Sequence, residues 1–274
     1  MKKARDDAAD DAPPDREASA EATGGIGTSY EHVCIAAYLS ALLTRSHAPA
    51  CPGIVTSIAL QQKANKRPLD DIVIGWKDDA GREGTVDLQL KRRLSVSAKQ
   101  DSDFSRIVTD AWTTMKRTDF VDRRDLAGGL SEVVSSANHY ACQKLRELAA
   151  EADQAGFAAP LATQVDGAAR KAIAAVQEIL TRTLGTAPTQ EDSHFFWRNF
   201  VIGRLEATAH LGIDRLRAID LLSRITQQDG VNPTQLFAVL EALARQLNVH
   251  AAQIDRETLI SLLEERFGTR VAPV

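Results

Sequence analysis

The residue types that build covalent or transition-metal sites are scarce here. Cysteine occurs three times in 274 residues, at Cys34, Cys51 and Cys142. Their spacing matches no metal-ligand pattern, and an odd, scattered set fits reduced thiols in a cytoplasm better than a disulfide framework. The six histidines are dispersed with no His-x-x-x-His pair, which argues against a zinc site. No apolar run is long enough to span a bilayer, and no secretory leader is read at the start, so no membrane partner is expected. The segment "GGIG" at residues 24–27 lacks the Lys-Ser/Thr of a phosphate loop and follows no strand, so nucleotide binding by this chain is not expected. Aromatics make up only 5% of the chain, and Trp76, Trp112 and Trp197 are each expected in a core rather than on a base-stacking surface.

What is present is a foldable apolar fraction, 44%, and an uneven charge. The net charge of −4 conceals a basic segment: residues 91–124 hold nine bases against five acids, whereas residues 125–274 hold 14 bases against 18 acids. Such a segment in an acidic protein points toward a phosphate-bearing partner, although a solvated charged face explains it equally well.

The pattern divides the chain into three. Residues 1–23 are charged and rich in Ala and Pro, and are expected to be a disordered tail. Residues 24–155 read as a small α/β core. A buried helix over residues 29–43 is opened by a capping box of Thr28 and Glu31. Strands follow in "GIVTSIALQQ", "PLDDIVIGW" and "GTVDLQLKRR", then a helix over residues 103–116, a short strand in "DLAGGLSEVV" and a helix over residues 136–152. Residues 165–268 read as a helical module, with one helix assigned to the whole of "DSHFFWRNFVIGRLEATAHL".

The third strand carries Val86, Leu88 and Leu90 on one face and Asp87, Gln89 and Lys91 on the other. A hairpin turn centred on Ala80 and Gly81 brings Asp71 opposite the region of Gln89 to Lys91. Phosphodiester cleavage calls for this combination: carboxylates to hold a divalent cation, and a lysine to orient water or stabilise developing charge.

The hairpin "LDDIVIG … VDLQLKRR" resembles the active-site motif of the PD-(D/E)xK superfamily, the restriction-endonuclease-like fold. With "GGIGTSYEHVCIAAYLSALL", "FSRIVTDAW", "FFWRNFVIGRLEAT" and "TLISLLEERFG", it is similar to the nuclease effector domain of bacterial antiphage systems. In those systems the domain is fused to cyclic-nucleotide sensors of the CBASS type or to STAND-type NTPases, or paired with a HerA-like ATPase.

The resemblance implies an α/β restriction-endonuclease-like core with a C-terminal helical module for regulation or assembly. It implies Asp71 as the principal metal ligand, with Asp70 as the alternative. Gln89 stands at the second acid position, the Leu90 carbonyl is a further ligand, Lys91 is the catalytic lysine and Glu31 is the first-helix acid that completes the site. Asp87 is a compensating carboxylate, or else a solvated residue. Arg92, Arg93 and Lys99 lie where a DNA backbone would pass.

The implied activity is Mg²⁺- or Mn²⁺-dependent hydrolysis of double-stranded DNA with little sequence preference. The implied partners are a second copy of the chain and a sensor or ATPase. Gln89 departs from the commonest motif and supports a competing expectation, a catalytically degenerate nuclease fold that binds DNA or assembles. A purely helical scaffold is a third possibility.

Overall fold

The computed structural model describes residues 25–152, 156–157, 165–208, 212–226, 231–249 and 251–268. The tail assigned to residues 1–23 lies outside them. The chain is mixed α/β, built on a six-stranded sheet, which excludes the helical scaffold.

In chain order the elements are α1 (Gly25–Leu43), β1 (Ile54–Leu60), β2 (Ile72–Lys77), β3 (Glu83–Leu94), α2 (Asp103–Met115), β4 (Leu126–Val134), α3 (Ser136–Glu151), α4 (Gly167–Leu184) and α5 (Gln190–Asn199). Then come β5 (Phe200–Arg204), α6 (Ile213–Thr226), α7 (Pro233–Val249), β6 (Gln253–Asp255) and α8 (Arg256–Phe267).

The sheet order is β5-β4-β3-β2-β1-β6. β1, β2 and β3 form an antiparallel meander, while β4 joins β3, and β5 joins β4, in parallel. The first parallel crossover is made through α2, as parallel pairing requires a long connection.

Helices cover both faces. The face carrying Ile72, Ile74, Val86, Leu88 and Leu90 packs with α1, α6, α7 and α8, a core that includes Tyr38, Leu42, Leu222, Phe237, Leu240 and Leu259. The opposite face packs with α2, α3, α4 and α5 through Phe104, Ile107, Trp112, Leu145, Val176, Phe196 and Trp197. The cleanest pattern is in α2: its apolar residues recur at helical spacing, Ser102 accepts from Ser105 N at 3.2 Å as N-cap, and Lys116 ends it. All three tryptophans lie in these cores.

Three differences from the sequence reading matter. First, α1 begins at Gly25, so Thr28 is not its N-cap and Glu31 is not the return half of a capping box. Second, the single helix read across residues 192–211 is two elements. Thr189 and Asp192 form the capping box that opens α5, and the chain then turns at Phe200 into β5. The pairing partner decides this: a Cβ at Gly128 would stand 1.8 Å from the Val201 carbonyl oxygen, so glycine there lets β5 lie against β4. Third, the C-terminal half is not only helical. It supplies both edge strands, β5 and β6, and both cores draw on residues from each side of the expected boundary.

Candidate active site

Asp71 sits one residue ahead of β2, where the ladder Ile72↔Leu88 places it opposite Gln89. Its backbone turns toward the end of β1: Gln61 N donates to the Asp71 carbonyl at 3.3 Å and Gln62 N to the Asp70 carbonyl at 2.8 Å. The Asp71 side chain then continues the ladder, accepting at Oδ2 from Leu90 N at 2.7 Å and from Gln89 Nε2 at 2.5 Å. This distinguishes the two adjacent acids. Asp71 points into the hairpin, while the side chain of Asp70 makes no hydrogen bond among the described residues.

Glu31 approaches from α1. Its Oε1 accepts from Gln61 Nε2 at 2.8 Å and from Asn248 Nδ2 at 3.1 Å, and Gln61 Nε2 also donates to Asn248 Oδ1 at 3.1 Å. Gln61 is held at φ 48°, the left-handed bend that aims its amide at this cluster.

The electrostatics tie these groups together. Burial, then the nearby Glu31 carboxylate, push the Asp71 carboxyl up to about 7, against the Leu90 N–H and Lys91. Burial raises Glu31 as well, opposed by Asn248, Lys91 and Gln61. Lys91 on β3 thus acts on both carboxyls, and its Nζ lies 4.0 Å from Asp103 Oδ1 on α2. Asp110 of α2 joins the same field. Burial and then Asp70 raise it, while Lys91 and Arg106 oppose.

The sequence reading passed over Asp110, Gln61 and Asn248. Asp103, Arg106 and Asp110 recur at intervals of three and four along α2, a charged stripe that could have been read. Gln61 and Asn248 had no local signal, because their meeting with Glu31 is purely tertiary.

Asp87 shares the strand face of Gln89 and Lys91 but not their surroundings. Both its oxygens are held by Arg67 Nη1, at 2.7 and 2.6 Å, and it is almost fully buried. This corrects both expectations for Asp87: it is neither a solvated residue nor a free compensating ligand. Arg92 lies 3.5 Å from Glu132 Oε2, and Arg93 and Lys99 are exposed. His194 is packed, with Nε2 2.8 Å from the Ala149 carbonyl, and His210 lies outside the described residues.

No group of three or more His, Cys, Asp or Glu among the described residues is arranged to hold a metal ion. The donors that do gather are Asp71 and Glu31, with the Gln89 amide beside them. That oxygen-rich set of two carboxylates suits Mg²⁺ or Mn²⁺, which commonly take one or two carboxylates with water and substrate phosphate, and does not suit zinc.

No helix among the described residues is long and apolar enough to cross a membrane. No protein-family model matches the chain, and no curated protein matches it. Among solved structures it is similar to the Acinetobacter baumannii Cap4 SAVED/CARF-domain containing receptor with the cyclic trinucleotide 3'3'3'-cAAA, at 11% identity and a TM-score of 0.47. The similarity covers 88% of this chain and 46% of that one, so the chain spans less than half the length of that receptor.

Proposed function

We propose that this chain is a metal-dependent endonuclease that hydrolyses double-stranded DNA with low sequence specificity. It would serve as the effector of an antiphage system and be switched on by assembly with further copies and a sensor or ATPase. The observation that carries the reading is the convergence of Asp71 and Glu31, from separate elements, beside Gln89 and Lys91. Burial raises both carboxyls, and the Glu31 charge raises Asp71 further; a carboxyl so held toward its proton has the same demand for a divalent cation.

Asp71 and Glu31 would hold that cation, with Gln89 turning its amide to offer Oε1 and the Leu90 carbonyl as a further donor. When bound, it supplies charge neutralisation at the phosphate and a more acidic water. Lys91 orients the attacking water and stabilises the charge that grows on the phosphate oxygens. Arg93, on the strand face of Lys91, and Arg92 and Lys99 nearby, bind the DNA backbone without reading bases. The defence role rests on the family resemblance. A nuclease of low specificity endangers its own host, so control by assembly is part of the proposal.

One contact favours a second reading, a degenerate module that binds DNA or assembles. Asp71 Oδ2 is already satisfied by two protein donors, Gln89 Nε2 and Leu90 N, without a cation. Plasmid DNA with Mg²⁺ or Mn²⁺ and the activating partner separates the two. Wild type should nick and linearise it, and Lys91→Ala and Asp71→Ala should each be slower by roughly a hundredfold or more. Intact DNA with activated wild type supports the module, and cleavage undiminished in both variants removes the site.

A further inference from the structure

At the turn end of the β2–β3 hairpin lies a cavity of about 800 Å³, away from the candidate active site. Trp76 on its wall is five residues along β2 from Asp71, roughly 16 Å of strand. Five arginines line it: Arg82 from the hairpin, Arg123 and Arg124 from the segment before β4, Arg146 from α3 and Arg198 from α5. Two acids, Glu83 and Asp122, accompany them, and both are engaged. Glu83 accepts from Lys77 Nζ at 2.8 Å, and Asp122 accepts from Arg198 Nε at 2.7 Å and Nη2 at 2.5 Å. Arg82 is paired with Asp78 at 2.7 Å, and Arg124 lies 3.3 Å from Asp125. Among the described residues, Arg123 and Arg146 have no acid partner. With three of the five arginines paired, Arg123 and Arg146 are left as the uncompensated positive charge of the cavity, a site that attracts an anion.

The cavity is also built for more than charge. Trp76 lies in its wall beside Leu126 and Pro52, and the buried indole Nε1–H has no acceptor among the described residues. A buried donor left unpaired is uncommon and calls for an explanation. The fit around the indole is close: a Cβ at Gly84 would come within 2.8 Å of Trp76 Cζ2 and of the Arg124 carbonyl oxygen. Arg123 is held at φ 62°, with its N–H donating to Asn199 Oδ1 at 2.9 Å. That conformation is unfavourable for a residue with a Cβ, and such strain concentrates where a side chain must be presented.

We propose that this cavity binds a nucleoside phosphate. Its phosphate is gripped by Arg123 and Arg146, and its base lies against the apolar wall of Trp76, Leu126 and Pro52. Arginine matches phosphate through paired N–H donors, and the volume falls in the range of small-molecule sites. A bare phosphate leaves the apolar wall unused. The inference goes beyond the nuclease reading and does not depend on it. It runs counter to the expectation, drawn from the missing phosphate loop, that this chain binds no nucleotide.

The test is calorimetric titration of the full chain in EDTA with ATP, GTP, pyrophosphate and a 20-nucleotide DNA strand, with tryptophan fluorescence followed in parallel. At least one nucleotide should bind saturably and more tightly than pyrophosphate. Arg123→Ala and Arg146→Ala, both at accessible positions, should each weaken it about tenfold. Trp76→Phe should remove the fluorescence response, and Lys91→Ala should leave binding unchanged. The proposal is overturned by any of three results: no saturable binding, affinity unaltered in both arginine variants, or pyrophosphate or the DNA strand binding as tightly as the nucleotide.

Discussion

Asp71 and Asp87 share one face of the same hairpin, and burial raises both, to about 7 and about 6. Their neighbours set them apart. Asp87 meets Arg67, whose guanidinium caps both oxygens. Asp71 meets neutral donors and a second acid, Glu31, with its nearest help from the Leu90 N–H and the more distant Lys91. One region is a closed ion pair that holds the segment before β2 against β3. The other gathers Asp71, Glu31 and Asp70 with Lys91 as the opposing charge and no guanidinium clamp on Asp71. Two carboxyls that burial shifts the same way can therefore become a strut in one place and a candidate site in the other, and the partner decides which.

The sharpest way to break that comparison is to neutralise each region in turn. Asp71→Asn should eliminate DNA cleavage by activated protein while leaving stability unchanged or higher, because it removes a repelled, desolvated charge. Arg67→Ala should do the reverse. It leaves Asp87 buried without its partner, costing roughly 3 kcal/mol of stability, read as a shift in the urea midpoint, while cleavage by the folded fraction persists. If Asp71→Asn is the more destabilising of the two, the assignment of strut and site is inverted.

That distinction was not legible in the sequence. The hairpin was, since alternation in "GTVDLQLKRR" and the turn residues bring Asp71 close to Gln89. Helix α2 was also legible, read over residues 103–116 and found at Asp103–Met115. Which carboxylate would be neutralised depended on Arg67, a residue outside any strand, and no local pattern marks it. The end of α5 was hidden for a similar reason. "FFWRNFVIGR" is apolar enough for either structure, and its turn into β5 is decided by the space at Gly128 on another strand. Glu31 looked like a cap because its real partners, Gln61 and Asn248, come from β1's end and α7. Local signals set the elements, and distant contacts set the charge states.

A milder perturbation uses pH. In the folded chain Asp71 keeps its proton to about 7, above the ordinary carboxylate value of 3.8 that applies when unfolded. Between those values the folded state binds more protons than the unfolded state, so this group's contribution to stability is full below about 4 and is lost as pH rises toward 7. Asp87 acts in the same direction over a window that ends near 6. Thermal melts in EDTA at pH 5, 6 and 7.5 should therefore show a loss of stability in wild type that is smaller in Asp71→Asn, with the gap widening steadily from pH 5 to about 7 and levelling off above. Mg²⁺ should restore wild type at pH 7.5 and leave the variant unmoved. Parallel profiles for the two proteins would remove Asp71 as the titrating group.

The smallest change tests the glutamine itself. Gln89 Nε2 is a donor to Asp71 Oδ2, so it partly quiets the charge that a cation would otherwise meet. Gln89→Glu replaces that donor with a carboxylate of nearly the same shape. Without metal at pH 8 the two acids repel, and the melting temperature should fall by about 3 °C. At pH 5.5 one proton can bridge them and the fall should shrink. With Mg²⁺ the added carboxylate becomes a ligand, and the concentration that half-restores stability should drop about tenfold. Cleavage at saturating Mg²⁺ should stay within a few fold of wild type, because Lys91 and Asp71 are untouched. A Mg²⁺ dependence identical to wild type would mean that position 89 does not face the cation, leaving Asp71 and Glu31 to hold it without help from β3's side chains.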